Sequence, residues 1–471
     1  MTMTLAHLLR IPLLEARNLG ASAAAVRAVV TDSRLAGPGD VFVAFRGERV
    51  DAHAFVAEVC ARGVLCCVVE QRWVRRNAAA AQSLPLVVVR DSMQAYGAIA
   101  AEYRATFDIP VLAITGSNGK TSTKEMTAAV LRTNSRVLAT EGNLNNHLGL
   151  PATLLRLDAA DQVVIVEMGT NQPGDIAHLC AIARPTHGLI TNIGRAHIEK
   201  LRSREGIAEE KKVLYSSLPK NGTAIVNADE PLLRGGLRRG VRRITYGTRR
   251  GSDVRIVEVT LDAQGRARVR LSAPGFVKQD ILLRLQVVGR HAAHNAAAAL
   301  AAGFAFGCGV RAMKAALESV PNFDRRMQIV RTPRGVTVID DTYNANPDSV
   351  RAGIDLLAQL HVEGARCLVL GDMLELGAAA RAEHAAVGAV VAAAGIPYVL
   401  TFGRLSRAVS AAARETARVA LHFSDKAMLI AAADALLAEG DTVLVKGSRG
   451  MRMEDVVAQL RRVDNSEEAA A

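Results

Sequence analysis

The apolar run Val111-Leu112-Ala113-Ile114 passes without a break into Thr115-Gly116-Ser117-Asn118-Gly119-Lys120-Thr121-Ser122 and then into helix-forming residues at 123–132. A buried strand, a glycine-bearing turn and a helix in immediate succession form the repeating unit of a parallel α/β sheet. A turn that opens a helix in this way gathers successive backbone N–H groups at the helix N-terminus, and that point attracts an anion. Gly116 and Gly119 let the backbone approach a phosphate closely, Lys120 can reach the terminal phosphates of a nucleotide, and the Thr121 hydroxyl can hold Mg2+. Ser117, Asn118 and Ser122 complete the expected ATP-binding loop. Its spacing is irregular, because G-x-x-x-x-G-K-[ST] would place glycine where this chain has Ile114.

The same rhythm continues on both sides. Apolar runs at 163–168, 188–192 and 223–227 alternate with helical stretches, as in a parallel sheet covered on both faces. Upstream, short β-like runs at 41–45, 65–69 and 86–89 interleave with Ala-rich helices and predict a small α/β domain. Residues 253–278 alternate apolar with polar, the pattern of an antiparallel hairpin or meander added to the central sheet. After Val320-Pro321, strands at 337–341, 367–370, 398–402 and 442–446 predict a Rossmann-like, doubly wound unit. A chain of 471 residues exceeds one ordinary core, and the expected domains are 1–106, 107–320 and 321–471, with Thr106-Phe107-Asp108-Ile109-Pro110 as the first hinge. The acidic, Ala-rich residues 464–471 are expected to form a disordered tail.

A net charge of +12 raises the question of nucleic acid, but Lys and Arg are scattered and neither zinc-finger spacing nor an RNP-type aromatic segment is present. No nucleic-acid partner is expected; a polyanionic small substrate suits the charge, and the Arg-rich stretch at 234–243 reads as a solvated face. The six cysteines lack paired C-x-x-C spacing, which points to a reduced cytoplasm. Neither a cleavable leader nor a run near the roughly 18 apolar residues of a membrane span is seen, so no membrane insertion is expected.

Several polar groups stand at the ends of predicted strands. Glu167 closes the run Val163-Val164-Ile165-Val166, where a carboxylate faces the ligand crevice of a parallel sheet and suits Mg2+; as a single acid it equally suits a satisfied strand end. His197 follows the next strand, as a metal or phosphate contact or a hydrogen-bonded structural histidine. Asn143, Asn145 and Asn146 crowd side-chain amides into Gly142-Asn143-Leu144-Asn145-Asn146-His147. Asp340-Asp341-Thr342-Tyr343-Asn344-Ala345-Asn346-Pro347 places acids, an aromatic and two amides at a later strand end, and Lys446-Gly447-Ser448-Arg449 places two cations and a hydroxyl at another, as a carboxylate clamp. Turn chemistry would explain any one of them, but three together favour a cleft between domains.

These segments, with Glu167-Met168-Gly169-Thr170-Asn171 and Gly371-Asp372-Met373-Leu374-Glu375-Leu376-Gly377, resemble the ATP-dependent Mur ligases and their relative folylpolyglutamate synthase, whose shortened loop accounts for Ile114. The resemblance runs from Thr31-Asp32-Ser33-Arg34 onward, over nearly the whole chain. The Tyr343–Pro347 segment is most similar to the branch that adds D-Ala-D-Ala to UDP-MurNAc-tripeptide. It implies three domains, for UDP-sugar, for ATP, and for closure over the nucleotide, in a monomer. It also implies phosphorylation of the tripeptide carboxylate to an acyl phosphate, attack by the dipeptide amine, and collapse of a tetrahedral intermediate.

By resemblance, Thr121, Glu167 and His197 contact magnesium, and Lys211 matches the position that is carbamylated. Lys120, Lys211 and His197 are the implied catalytic residues. Asn295 matches an adenine contact, and Arg326, Asp341 and Tyr343 match nucleotide contacts from the third domain. Ser33, Arg34, Asn143, Asn145 and Asn146 are implied to face the UDP-sugar peptide, while Asn344, Asn346, Lys446, Ser448 and Arg449 are implied on the substrate side of the third domain. Ala292 and Ala52 depart from the family pattern, which has asparagine and glycine there. Folylpolyglutamate synthase would use the same loop on a pteridine, against which the Tyr343–Pro347 and Asn143–Asn146 segments argue. A regulatory or nucleic-acid-associated P-loop ATPase is the alternative of a different class.

Overall fold

The computed structural model describes residues 3–47 and 49–462; the terminal residues read as a disordered tail lie outside them. Three sheets carry the chain. The first orders its strands Glu15–Arg17, Leu86–Val89, Cys66–Glu70, Val41–Val43 and Val29–Val30, parallel except for the first. The central sheet has nine strands. Its parallel part places Val111–Thr115 between Val163–Glu167 and His187–Ile190, with Val137–Ala139 outside the former and Thr223–Asn227 and Arg242–Gly247 beyond the latter.

Continuous apolar strands at the centre follow from burial on both faces. Val111 and Ala113 enter one core, and Leu112 and Ile114 enter the other. The expected added β-segment is present and larger than the sequence pattern suggested. Val254–Leu261 pairs parallel with Arg242–Gly247 and then forms an antiparallel meander with Arg266–Ser272 and Ile281–Val288. Arg242 and Arg243 keep their exposed side chains while their backbone joins the sheet.

The third sheet runs Gln328–Arg331, Thr337–Asp341, Thr442–Lys446, Arg366–Gly371, Tyr398–Phe402 and Val419–Phe423. Only its first strand is antiparallel. Strands that periodicity did not reveal, such as Val137–Ala139 and Val419–Phe423, are edge strands with half-buried residues and apolar runs of only three residues.

The first and central units share one apolar core along the helix Ser92–Ala105. Tyr103, fully buried, donates its hydroxyl to Leu157 O at 2.6 Å. Gly97 lies so close to the neighbouring helix that an added Cβ would stand 2.9 Å from Ile182 Cδ1. Arg104 donates to Phe107 O and Ile109 O, which ties down the connection to the central sheet. The third unit touches the meander through a small apolar contact, where Val288 and Leu261 join the core that holds Leu356 and Leu360 and Gly265 packs beneath those two leucines.

Candidate active site

The strand Val111–Thr115 delivers the phosphate loop to the carboxyl edge of the central sheet, and the helix Lys120–Leu131 begins directly after Gly119. That start is three residues earlier than the sequence pattern indicated, because Gly119 adopts φ +76° and lets the chain turn at once into the helix. Gly116, at φ +148°, allows no side chain: a Cβ there would lie 1.8 Å from Thr191 Oγ1. Two residues that sequence reading gave no role pin the loop. Thr191 Oγ1 donates to Asn118 O at 2.6 Å, and Asn192 Oδ1 accepts from Asn118 N at 3.0 Å.

Lys120 folds back to donate to Gly116 O at 2.9 Å; burial pushes its ammonium below its ordinary pKa, opposed by Glu167 and helped by Arg326. The Thr121 hydroxyl donates to Glu167 Oε2 and Asn145 Nδ2 donates to Glu167 Oε1, both at 2.8 Å. Glu167 is 1% exposed and makes no ion pair among the described residues. A buried carboxylate held by neutral donors beside a phosphate loop suits a cation. No group of three or more His, Cys, Asp or Glu among the described residues could hold a metal alone. Mg2+ fits this arrangement because it takes one or two carboxylates and completes its shell with phosphate and water oxygens.

From the third unit, Arg326 donates to Thr121 Oγ1 at 2.9 Å with its guanidinium 3.9 Å from the Tyr343 ring centroid. Asn346 Nδ2 donates to Asn118 Oδ1 at 2.7 Å. Arg195, after the strand His187–Ile190, donates from its backbone to Asp348 Oδ2 at 3.0 Å and from Nη1 to both oxygens of Glu383 at 2.7 and 2.8 Å. A cavity of about 680 Å3 lies between these faces, with Ser117, Ser122, His197, Asn295, Asp341 and Asn344 also on its wall. Ser117 Oγ and Asn295 Nδ2 are buried there without a hydrogen-bond partner. Buried polar atoms are seldom left unpaired, and these two suit a nucleotide that brings acceptors and donors of its own.

The structure gathers some expected residues and separates others. Asn145 faces the cavity, whereas Asn146 Oδ1 is spent on Leu148 N and Gly149 N at the start of the next helix, and Asn143 lies off the wall. Lys211 sits behind the wall at 2% exposure; burial, aided by the Lys120 charge, pushes its ammonium well below the ordinary range. Ser33 and Arg34 belong to the first unit, where Arg34 pairs with Asp32. Of the two cations expected as a carboxylate clamp, Lys446 lines the cavity but is 1% exposed, pairs with Asp341 at 2.5 Å and donates to Asn344 O, whereas Arg449 is exposed. Ser448 is buried too, donating to Ala345 O and accepting from Leu374 N.

The two departures cause no strain. Ala292 opens the helix Ala292–Ala305 and is fully buried in the core of the central unit. Ala52 lies in the turn Ala52–Phe55, has no positive φ, and is followed by His53, whose N–H and Nδ1 both meet Asp51 Oδ1.

With a phosphate loop, a buried strand-end carboxylate and a third unit facing both, the chain belongs to the Mur ligase family. The family's middle domain matches residues 114–303, and the domain described as "Mur ligase, glutamate ligase domain" matches 325–449. Within that family it is 39% identical over 439 residues to the UDP-N-acetylmuramoyl-tripeptide--D-alanyl-D-alanine ligase of Escherichia coli, covering 92% of this chain and 93% of that protein. The crystal structure of MurF from Acinetobacter baumannii superposes with a TM-score of 0.83 at 33% identity, covering 93% of each chain. MurF ligase from Thermotoga maritima in complex with ADP superposes at 0.80 with 27% identity, covering 94% of this chain and 99% of that one.

Proposed function

We propose that this chain is the ATP-dependent ligase that joins D-alanyl-D-alanine to UDP-N-acetylmuramoyl-tripeptide, acting as a monomer in the cytoplasm to build the peptidoglycan precursor. The observation that carries the reading is the apposition, across one cavity, of Lys120, Thr121 and buried Glu167 with Arg326 and Asn346 of the third unit. The likeness to the E. coli ligase over nine-tenths of the chain supports the choice of substrates.

Bound Mg2+ and ATP would supply a phosphoryl group and the charge neutralisation that lets a carboxylate approach it. Thr121, Glu167 and His197 would hold the ion, with Lys211 joining them in carbamylated form; burial lowers its pKa and so favours the neutral amine, the form that accepts CO2. Lys120 would steady the terminal phosphates, Asn295 the base, and Arg326 with Asp341 and Tyr343 the nucleotide from the third side. Ser33, Arg34 and the Asn143–Asn146 loop would serve the sugar-nucleotide peptide. On the dipeptide side, exposed Arg449 is the carboxylate contact, with Lys446 and Ser448 shaping the strand end beneath it. The units 1–106, 107–320 and 321–471 would take the sugar nucleotide, ATP and the dipeptide in that order.

The test is ADP release by the purified chain. It is expected only when UDP-MurNAc-tripeptide and D-Ala-D-Ala are present together; release driven by a folate or by nucleic acid would overturn the reading.

A further inference from the structure

The segment Gly371–Gly377 has no task in the reading above, although most of it is firmly placed. Asp372 Oδ1 accepts from Leu405 N at 3.0 Å and Ser406 N at 2.7 Å, and Met373 N donates to His384 Nε2 at 3.0 Å. Met373 and Leu376 are buried in the core of the third unit. Glu375, between them, reaches out of that unit, and its Oε2 lies 2.5 Å from Nδ1 of His197 in the central unit.

Both backbones are shaped for this contact. Glu375 has φ +62° and His197 φ +60°, a region that residues with a side chain enter only when their surroundings impose it. Glu375 O accepts from Glu199 N at 3.4 Å. Gly377, at φ +52°, lies against Glu199 so closely that an added Cβ would be 3.2 Å from its Cα.

A histidine that ligates a metal through one ring nitrogen commonly donates through the other to a carboxylate, which fixes its tautomer and ring orientation. Here Nδ1 is engaged by Glu375 while the His197 side chain lines the cavity, which leaves Nε2 for a ligand. We infer that Glu375 is a positioning residue for the metal site: by accepting a hydrogen bond from Nδ1–H of His197 it holds the tautomer that presents Nε2 to the ion. This inference rests on the assignment of His197 to Mg2+. One support of a site built on the central unit thus comes from the third unit.

The test titrates Mn2+, as a stand-in for Mg2+, into the full chain with a non-hydrolysable ATP analogue, read by electron paramagnetic resonance. Glu375→Ala is expected to weaken Mn2+ binding about 10- to 100-fold, the usual loss when an outer-shell partner is removed. Glu375→Gln, whose amide oxygen still accepts from Nδ1–H, is expected to stay within a few-fold of the parent. The double variant Glu375→Ala/His197→Ala is expected to bind no more weakly than His197→Ala alone. Equal losses in the Gln and Ala variants, or losses that multiply in the double variant, would make the contact a plain inter-unit ion pair and overturn the inference. Normal binding by Glu375→Ala beside weak binding by His197→Ala would overturn it while sparing the metal assignment. Normal binding by His197→Ala would overturn both.

Discussion

Along the helix Ser92–Ala105 the first unit shares one apolar core with the central unit, whereas the third meets the central unit through charges and amides and a smaller apolar contact at Val288, Leu261 and Ile198. Separating the first pair would expose buried side chains such as Ile99 and Tyr103, at about 25 cal/mol for each Å2 of apolar surface. Separating the second mostly exchanges hydrogen bonds for others made to water, which costs little. The contrast assigns different duties to the two joints. The first fixes its unit against the sheet that carries the phosphate loop, and the second, where the cavity lies, costs less to part.

The contrast can be broken most easily at Tyr103. Tyr103→Ala removes a fully buried ring and its bond to Leu157 O, and is expected to cost about 3–5 kcal/mol in denaturant unfolding. A loss below about 1 kcal/mol would mean that the first joint is no more welded than the second. At the polar joint, a double-mutant cycle on Arg195 and Glu383 is expected to give a coupling energy of about 1 kcal/mol or less, shrinking with added salt. A salt-independent coupling of several kcal/mol would make the second joint rigid as well.

The smallest effect concerns His178, close to Gly97 at the first joint, where burial, with the charge of His147, lowers its pKa against the pull of Asp175. Its ordinary value is 6.5, so below that pH the unfolded chain binds the proton more readily than the folded one. Its neutral form therefore favours folding fully above pH 6.5, and this contribution falls as pH drops from 6.5 toward the lower folded value. His178→Gln is expected to flatten the unfolding free energy across that window; an unchanged slope would remove His178 from the joint's pH response.

The unbroken apolar strands were legible because burial on both faces leaves a pattern of composition, as at 111–115 and 163–167. Short edge strands such as Val137–Ala139 leave no such pattern, since three residues are too few to show a period. The cavity's polar residues announced themselves by type and position at strand ends. What periodicity cannot carry is which residue on another unit each one meets. Arg195 with Glu383 and His197 with Glu375 are separated by more than 170 positions and depend on how two separately folded units come together. Lys446 is a contact within one unit: the register of two neighbouring parallel strands sets it opposite Asp341, and that strand pairing is likewise absent from local periodicity.

Gly119 sits where two demands meet. A Cβ there would stand 2.8 Å from Oδ1 of Asn295, the same oxygen that accepts from Thr123, so the turn that cradles phosphate is also the surface against which Asn295 rests. For an inhibitor that occupies the nucleotide cavity, this position offers no route of escape. A substitution at 119 that crowded the compound would displace Asn295 in the same stroke and, with Asn295 as the base contact proposed above, would weaken the hold on the nucleotide along with that on the drug.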